Sequence, residues 1–275
     1  MKRLIFCLIS SAFIQLGLFP EAVFASAWTL EPKKGQVIVT STFSDADTLL
    51  DSEGKRSEIQ NFSKTESRVY LELGVLPSIM LIGQAAYQDI SFQGAGSDVN
   101  FSGFGETKLA LQYRLKEYNG FASSVMLGYV LDGGLDDPRL NLGGPNNEVE
   151  ARLLYGRSKA LEKDDPFNWV WFYDVQLGGR YDLKSNIVSR RQLDVTAGIK
   201  PNEKWMLLSQ VFALDIEGQL SQGFEVPSLQ QIKAELSIAY KIRKNQYVQL
   251  GVLQTLAGRN VVKEQGLFAG LWQPF

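Results

Sequence analysis

Histidine is absent from all 275 residues, and the one cysteine, Cys7, lies close to the N-terminus. Hydrolases that use a Ser–His or Asp–His pair need an imidazole as general base, so the sequence excludes them. A zinc site would lack its two preferred ligand types. The sequence also contains neither a phosphate-binding glycine loop nor a nucleophile elbow. We therefore expect a protein that is not an enzyme and that holds no cofactor and no metal; the alternative left open is an enzyme with a Ser–Lys or carboxylate site, which needs no histidine.

Strong net charge and long apolar runs are also missing. The formal net charge is −2, which gives no reason to expect a nucleic-acid partner. After the N-terminal segment, no apolar run reaches the roughly 18 residues that a membrane-spanning helix needs. A mature chain that crosses a membrane would therefore have to do so with strands, in which only alternate residues are apolar.

The N-terminal segment has the three parts of a secretory leader. Lys2 and Arg3 supply positive charge, residues 4–18 are apolar, and Ala25-Ser26-Ala27 has the form of a cleavage site. Cys7 comes too early to be the lipid-bearing cysteine of a lipoprotein. We predict a signal peptide over residues 1–27, cleaved after Ala27, and a single mature domain over residues 28–275.

Apolar residues in the mature chain recur at every second position, as in β-strands with one apolar face. The clearest segment is Glu106 to Leu115, where Leu109, Leu111 and Tyr113 alternate with polar or small residues. Twelve such segments can be drawn, most of the roughly 9–11 residues that cross a bilayer at a tilt. They are Gln36–Phe43, Arg68–Val75, Ile79–Ser91, Glu106–Leu115, Phe121–Leu131, Glu148–Ser158, Asn168–Tyr181, Gln192–Lys200, Trp205–Leu214, Ile232–Lys241, Tyr247–Ala257 and Gly266–Phe275.

The connections alternate between short and long. Those after even-numbered strands are mostly short turns, with Lys159–Phe167 as the exception. Those after odd-numbered strands, such as Ser44–Phe62 and Phe92–Gly103, are longer and polar. An even strand count with this alternation predicts an all-β fold: a transmembrane antiparallel β-barrel of about 12 strands with both termini in the periplasm of a bacterium. A soluble β-sandwich also alternates, but it does not explain bulky apolar faces opposed to repeated charges.

The last predicted strand, Glu264 to Phe275, is apolar and ends on an aromatic residue. It resembles the C-terminal signal that the bacterial barrel-insertion machinery recognises, so we expect this machinery and outer-membrane lipid as partners. Because Pro274 cannot donate a ladder hydrogen bond, we predict that pairing stops near Trp272. Aromatic residues near other strand ends are predicted to form the two interfacial girdles: Trp169, Trp171, Tyr181, Trp205, Tyr240, Tyr247 and Trp272.

The opposite face of the predicted strands carries charges of both signs and is expected to face the barrel lumen. The candidates are Glu72, Glu106, Lys108, Arg114, Glu150, Arg152, Asp174, Arg180, Asp194, Lys233 and Glu235. These side chains either line an aqueous path or pair across strands and fill a closed interior. Because the signs nearly balance, strong selection between anions and cations is not expected.

The segment Asp132 to Asn147 is rich in Asp, Asn, Gly and Pro. Its oxygen-bearing side chains suit Ca²⁺, but their spacing does not match an EF-hand. These residue types are also the ordinary residues of turns. We interpret the segment as an exposed loop.

Two short motifs suggest a family. Ala27-Trp28-Thr29, followed by Pro32, Gly35 and Gln36, resembles the opening of outer-membrane barrels grouped under the meta-cleavage pathway of phenol degradation. The step Gly103-Phe104-Gly105-Glu106 is similar to a Gly-x-Gly-acid step in those proteins. The resemblance implies an outer-membrane channel or transporter for small hydrophobic or aromatic molecules. The alternative is a barrel with a filled, salt-bridged interior that serves adhesion, sensing or envelope structure.

Overall fold

The computed structural model describes residues 26–94, 97–131, 147–160, 169–183, 187–221, 224–226 and 228–275. Twelve long strands form one closed antiparallel sheet, which confirms the predicted barrel. In chain order the strands are β1 (Gly35–Leu50), β2 (Arg56–Leu76), β3 (Ile79–Gly94), β4 (Ser97–Tyr118), β5 (Phe121–Leu131), β6 (Glu148–Ala160), β7 (Val170–Asp182), β8 (Ile187–Lys200), β9 (Trp205–Ile216), the short β10 (Gln219–Ser221) and β11 (Phe224–Val226), β12 (Leu229–Arg243), β13 (Gln246–Arg259), the short β14 (Val261–Val262) and β15 (Gln265–Pro274). No helix long and apolar enough to cross a bilayer occurs in these ranges.

The barrel closes because β1 pairs with β2 on one side and with β15 on the other. The register between β1 and β15 runs from Asp45 opposite Gln265 to Gln36 opposite Pro274. The prediction that pairing stops near Trp272 is therefore wrong. The pairing of β13 with β15 stops at Tyr247 opposite Trp272. Successive N–H groups of an antiparallel strand point to opposite neighbours, and the N–H of Phe275 points to β1. The missing N–H of Pro274 falls on the side where no partner strand remains.

Alternation along each strand separates an outer face from an inner one. On β4, Leu109 and Leu111 are exposed, whereas Ala110 and Gln112 between them are buried. On β15, Leu267 and Leu271 are exposed, and Phe268 and Trp272 point inward. An aliphatic exterior around a partly polar interior is the pattern of a barrel that faces lipid.

Aromatic side chains mark two levels on the outer surface. The first level lies at the end of the barrel that carries the chain termini. There Trp171 stacks on Tyr173, and the rings of Trp205 and Tyr240 lie 4.4 Å apart. At the second level, Tyr87 packs edge-on against Phe104 at 5.6 Å. Phe104 and Tyr113 are nine residues apart on β4, which at about 3.3 Å per residue and a tilt near 40° separates the levels by roughly 23 Å. This distance fits the apolar band of an outer-membrane barrel. Tyr247 and Trp272, predicted for the girdles, are instead buried inside.

The strands β1, β2 and β4 are much longer than predicted. Strand β2 has 21 residues and β4 has 22, about twice the length needed to cross a bilayer. The predicted loops Ser44–Phe62 and Phe92–Gly103 therefore consist mainly of strand. Beyond the apolar band, an exposed strand face has no need of aliphatic residues, so the period-two pattern fades while the hydrogen bonds continue. The predicted exposed loop Asp132–Asn147, apart from Asn147, and the predicted signal peptide through Ala25 lie outside the described residues.

Candidate functional site

The N-terminal segment, residues 26–34, enters the barrel at the end that carries the chain termini. Ser26 and Ala27 are buried in the lumen, and the amide of Ala27 donates a 2.8 Å hydrogen bond to a carboxylate oxygen of Asp174. The side-chain amide of Gln112 donates to the carbonyl of Ser26 at 2.7 Å, and the Ser124 hydroxyl donates to the carbonyl of Ala27. These bonds fasten the segment to β4, β5 and β7.

Apolar side chains fill the lumen around this segment. Trp28 and Leu30 pack against a cluster of inward residues that comes from nearly every strand. The Trp28 ring lies over Gly156, where an added Cβ would approach the ring within 2.4 Å. The members of the cluster are Ala27, Ile38, Tyr70, Met80, Ile82, Ala110, Ala122, Met126, Leu154, Phe172, Met206, Leu208, Ala239, Tyr247 and Trp272. This end of the lumen is therefore a packed core.

Beyond the core, on the side away from the chain termini, the lumen contains a polar cavity of about 440 Å³. Its described lining includes seven basic side chains and five acidic ones. The basic residues are Lys64, Arg68, Lys108, Arg152, Arg180, Arg190 and Lys233, and the acidic residues are Glu66, Glu106, Asp194, Glu235 and Glu264. We refer to this space as the charged cavity.

One wall of the charged cavity, formed by β4, β6, β7 and β8, holds a connected ion-pair network. Arg180 lies 2.7 Å from Glu106 and 3.2 Å from Glu148, and Arg190 shares Glu106 at 3.1 Å. Glu150 is fully buried at the centre of this network.

Glu150 joins three basic side chains. It contacts the Arg152 guanidinium directly, Lys108 lies 3.4 Å away, and Arg180 lies 3.8 Å away. Arg152 also reaches Asp194 at 2.7 Å. The buried Glu150 carboxylate would be costly without cationic partners. It therefore holds these basic side chains close to it, at the surface of the cavity.

The opposite wall carries a second group of charges on β2, on β12 and just before β15. Glu66 accepts from Lys64 at 3.0 Å and from Arg68 at 2.5 Å, and Lys233 pairs with Glu264 at 2.7 Å. The two walls leave a polar space between them, so a solute inside would meet both signs of charge.

The exposed fraction of one inward side chain shows that this space is unfilled. The side chain of Arg68 faces the lumen yet retains 46% of its accessible surface, whereas its partner Glu66 retains 6%. An inward side chain keeps that much accessible surface only where the lumen beside it is open. The charged cavity thus has room for water and small solutes among the described residues, in contrast to the packed core at the other end.

The structure brings together most of the predicted lumen residues, but not all. Seven of them line the charged cavity, and an eighth, Glu150, supports it from behind: Glu106, Lys108, Arg152, Arg180, Asp194, Lys233 and Glu235 form the lining. Glu72 is buried in the core region, where Gln36 and Tyr70 donate to it at 2.6 and 2.8 Å. Asp174 holds the N-terminal segment. Arg114 lies near the turn between β4 and β5 and contacts Glu117 and the carbonyl of Pro77.

Several charged residues of the site lie outside the predicted set. They are Lys64, Glu66, Arg68, Glu148, Arg190 and Glu264. A usable signal was present for β2, because Lys64, Glu66 and Arg68 continue the period-two series of Tyr70 and Glu72. Within the part of the chain that the structure describes, acidic side chains do not gather into a group able to hold a metal ion.

A closed antiparallel barrel with an aliphatic exterior, aromatic levels and a charged interior is the architecture of transmembrane β-barrels. Among solved structures, the chain is similar to the COG4313 outer membrane channel from Pseudomonas putida F1, with a TM-score of 0.68 and 15% identity over 93% of this chain and 100% of that chain. It is also similar to the KdgM porin, with a TM-score of 0.50 and 10% identity over 86% of this chain and 99% of that chain. No protein-family model and no curated protein matches the sequence. At these identities the likeness establishes the fold.

Proposed function

We propose that this protein is a bacterial outer-membrane channel for small polar solutes, with its charged cavity as the selective part of the path. The observation that carries this proposal is the cavity of about 440 Å³ in the lumen, which is lined by both signs of charge. Paired charges hold water and polar solutes, and they repel an apolar solute because its passage would desolvate them. This chemistry favours polar cargo over the hydrophobic or aromatic cargo that the family resemblance implies.

The outer surface supports the proposed location. The exposed aliphatic band and two aromatic levels suit contact with outer-membrane lipid, and the terminal aromatic strand suits recognition by the barrel-insertion machinery. We place the chain termini and the packed core on the periplasmic side. An epitope inserted in the turn Asp51–Lys55, between β1 and β2, should then bind antibody on intact cells. Labelling that appears only after the outer membrane is opened would contradict this orientation.

Transport is tested with purified, folded protein in liposomes. Swelling should be faster for small zwitterionic or anionic solutes than for uncharged aromatic solutes of similar size. Removal of residues 26–30, which contribute to the packed core, should increase the swelling rate. A protein that stays closed to every solute, with and without this segment, would rule out the channel.

A second candidate is a barrel that does not transport and that uses its long strands for adhesion or sensing. The packed core favours it, because that core leaves one end of the lumen filled. The liposome experiment separates the candidates, since a barrel without transport gives no swelling when the N-terminal segment is removed.

A further inference from the structure

The lumen contains a binding site for Ser26 and Ala27, which we call the seat. Three polar side chains from different strands converge on these two residues: Gln112 from β4, Ser124 from β5 and Asp174 from β7. Each of the three is itself buried, with no more than 3% of its surface accessible. Ala27 is fully buried in the same place. Such convergence indicates that the folded barrel retains both residues.

Cleavage after Ala27 would remove both residues from this seat. Gln112 and Ser124 would lose the carbonyls to which they donate, and Asp174 would lose the amide that donates to it. Buried polar groups are rarely left without partners, because water cannot replace the lost bonds. The Ala27 methyl group would also leave a gap in the packed core.

Asp174 gives an independent observation. Its carboxylate accepts from Ala27 and, at 2.8 Å, from the side-chain amide of Gln176. Across the described ranges, no Lys or Arg nitrogen lies within ion-pairing distance of it. A buried carboxylate normally has a cationic partner. An ammonium group on Ser26, one residue from the existing hydrogen bond, would supply that charge.

The leader offers a second cleavage site that leaves the seat occupied. Val23-Phe24-Ala25 has the spacing of Ala25-Ser26-Ala27, with a short aliphatic residue in place of the first alanine. We propose that a signal peptidase cuts between Ala25 and Ser26, two residues before the site predicted from the sequence. Water hydrolyses this peptide bond, leaving a carboxylate on Ala25 and the mature α-amino group on Ser26. The resulting ammonium pairs with Asp174 inside the barrel.

The first test is the intact mass and N-terminal sequence of the protein purified from outer membranes. We expect Ser26 as the first residue. A chain that begins at Trp28, lighter by one serine and one alanine residue, overturns the proposal. A chain that begins at Ala27 also overturns the proposed cleavage site.

A variant within the leader tests the same site without touching the barrel. Val23→Lys places a long charged residue three positions before the proposed bond and leaves Ala25-Ser26-Ala27 intact. We expect precursor to accumulate or cleavage to move to the bond after Ala27. Unchanged mass and yield would contradict the proposal.

A third measurement tests the seat. Joining the leader through Ala25 directly to Trp28 should give a barrel that unfolds at a lower temperature in detergent. The matched control, Ser26→Ala, keeps both backbone carbonyls and the amino group, so it should unfold as the unaltered protein does. Equal unfolding temperatures for the barrel beginning at Trp28 and the control would show that the seat contributes nothing.

Discussion

Gly35 and Phe275 exchange two backbone hydrogen bonds, with Gly35 N–H donating to Phe275 C=O at 3.0 Å and Phe275 N–H donating to Gly35 C=O at 2.8 Å. The last residue of the chain thus closes the barrel against the first residue of β1. The Phe275 ring lies over Gly35, where an added Cβ would come within 2.3 Å of the ring and 2.9 Å of the Glu72 carbonyl oxygen. Glycine is therefore required for this close approach.

Gly35→Val should weaken closure. The new side chain must displace the Phe275 ring and strain the backbone beside Glu72, which should lower the free energy of unfolding by about 2 kcal/mol. Urea unfolding in detergent micelles measures this change. Gly83→Ala is the control, since its Cβ would lie 3.8 Å from Leu71, an ordinary contact. Equal unfolding midpoints for the two variants would contradict the close approach.

Glu150→Gln should be strongly destabilising. The change leaves Arg152, Lys108 and Arg180 with one fewer negative partner in a buried network, and breaking such a network costs about 3–5 kcal/mol. The same unfolding experiment applies. The control is Asp215→Asn, which removes one exposed partner of Arg191 and should cost less than about 1 kcal/mol. A loss at Glu150 no larger than at Asp215 would show that the network does not stabilise the barrel.

Arg68→Glu should shift ion selectivity toward cations. Arg68 is an exposed charge in the charged cavity, and its replacement by Glu changes the charge by two units; at about 4 Å in water this changes an ion's energy by about 2 kcal/mol, or roughly thirtyfold in its local population. Reversal potentials in planar bilayers under a salt gradient measure the shift. Arg191→Glu serves as control, because alternation along β8 directs Arg191 away from the lumen. Equal shifts for both variants would remove the charged cavity from the conduction path.

Gly156→Leu should loosen the packed core. The new side chain occupies the space of the Trp28 ring, so the N-terminal segment can no longer pack against Gly156. We expect a higher single-channel conductance, with the barrel still folded. Gly179→Ala, whose Cβ would lie 3.5 Å from the Arg190 carbonyl oxygen, should leave conductance unchanged. Unchanged conductance in Gly156→Leu would indicate that Trp28 does not restrict the path.

The barrel itself could be predicted from the sequence because lipid imposes the same period-two pattern on every strand. Leu109, Leu111 and Tyr113 show the pattern plainly. The half of β2 that precedes Arg68 shows no apolar outward series, because its outward residues, such as Ser63 and Thr65, meet water, and its signal was confined to the inward charged residues. Because apolar residues defined the predicted strands, Lys64 and Glu66 fell in a predicted loop.

The seat of the N-terminal segment had no sequence signal. Gln112, Ser124 and Asp174 lie on three strands, and their convergence depends on the register and curvature of the closed sheet. Nothing in the sequence shows that the Trp28 ring packs over Gly156. Contacts of this kind depend on shape rather than on periodicity, so only the folded barrel reveals them.

Closure between β1 and β15 also sets the order of events in folding. The partners Gly35 and Phe275 are 240 positions apart, so among the described strand pairings theirs carries the largest loop-closure entropy. Neighbouring hairpins such as β2–β3 can form early, but the free edge of β1 must wait until the last residue has been synthesised. Until then it remains an unpaired strand edge, the state most open to aggregation and to capture by a chaperone.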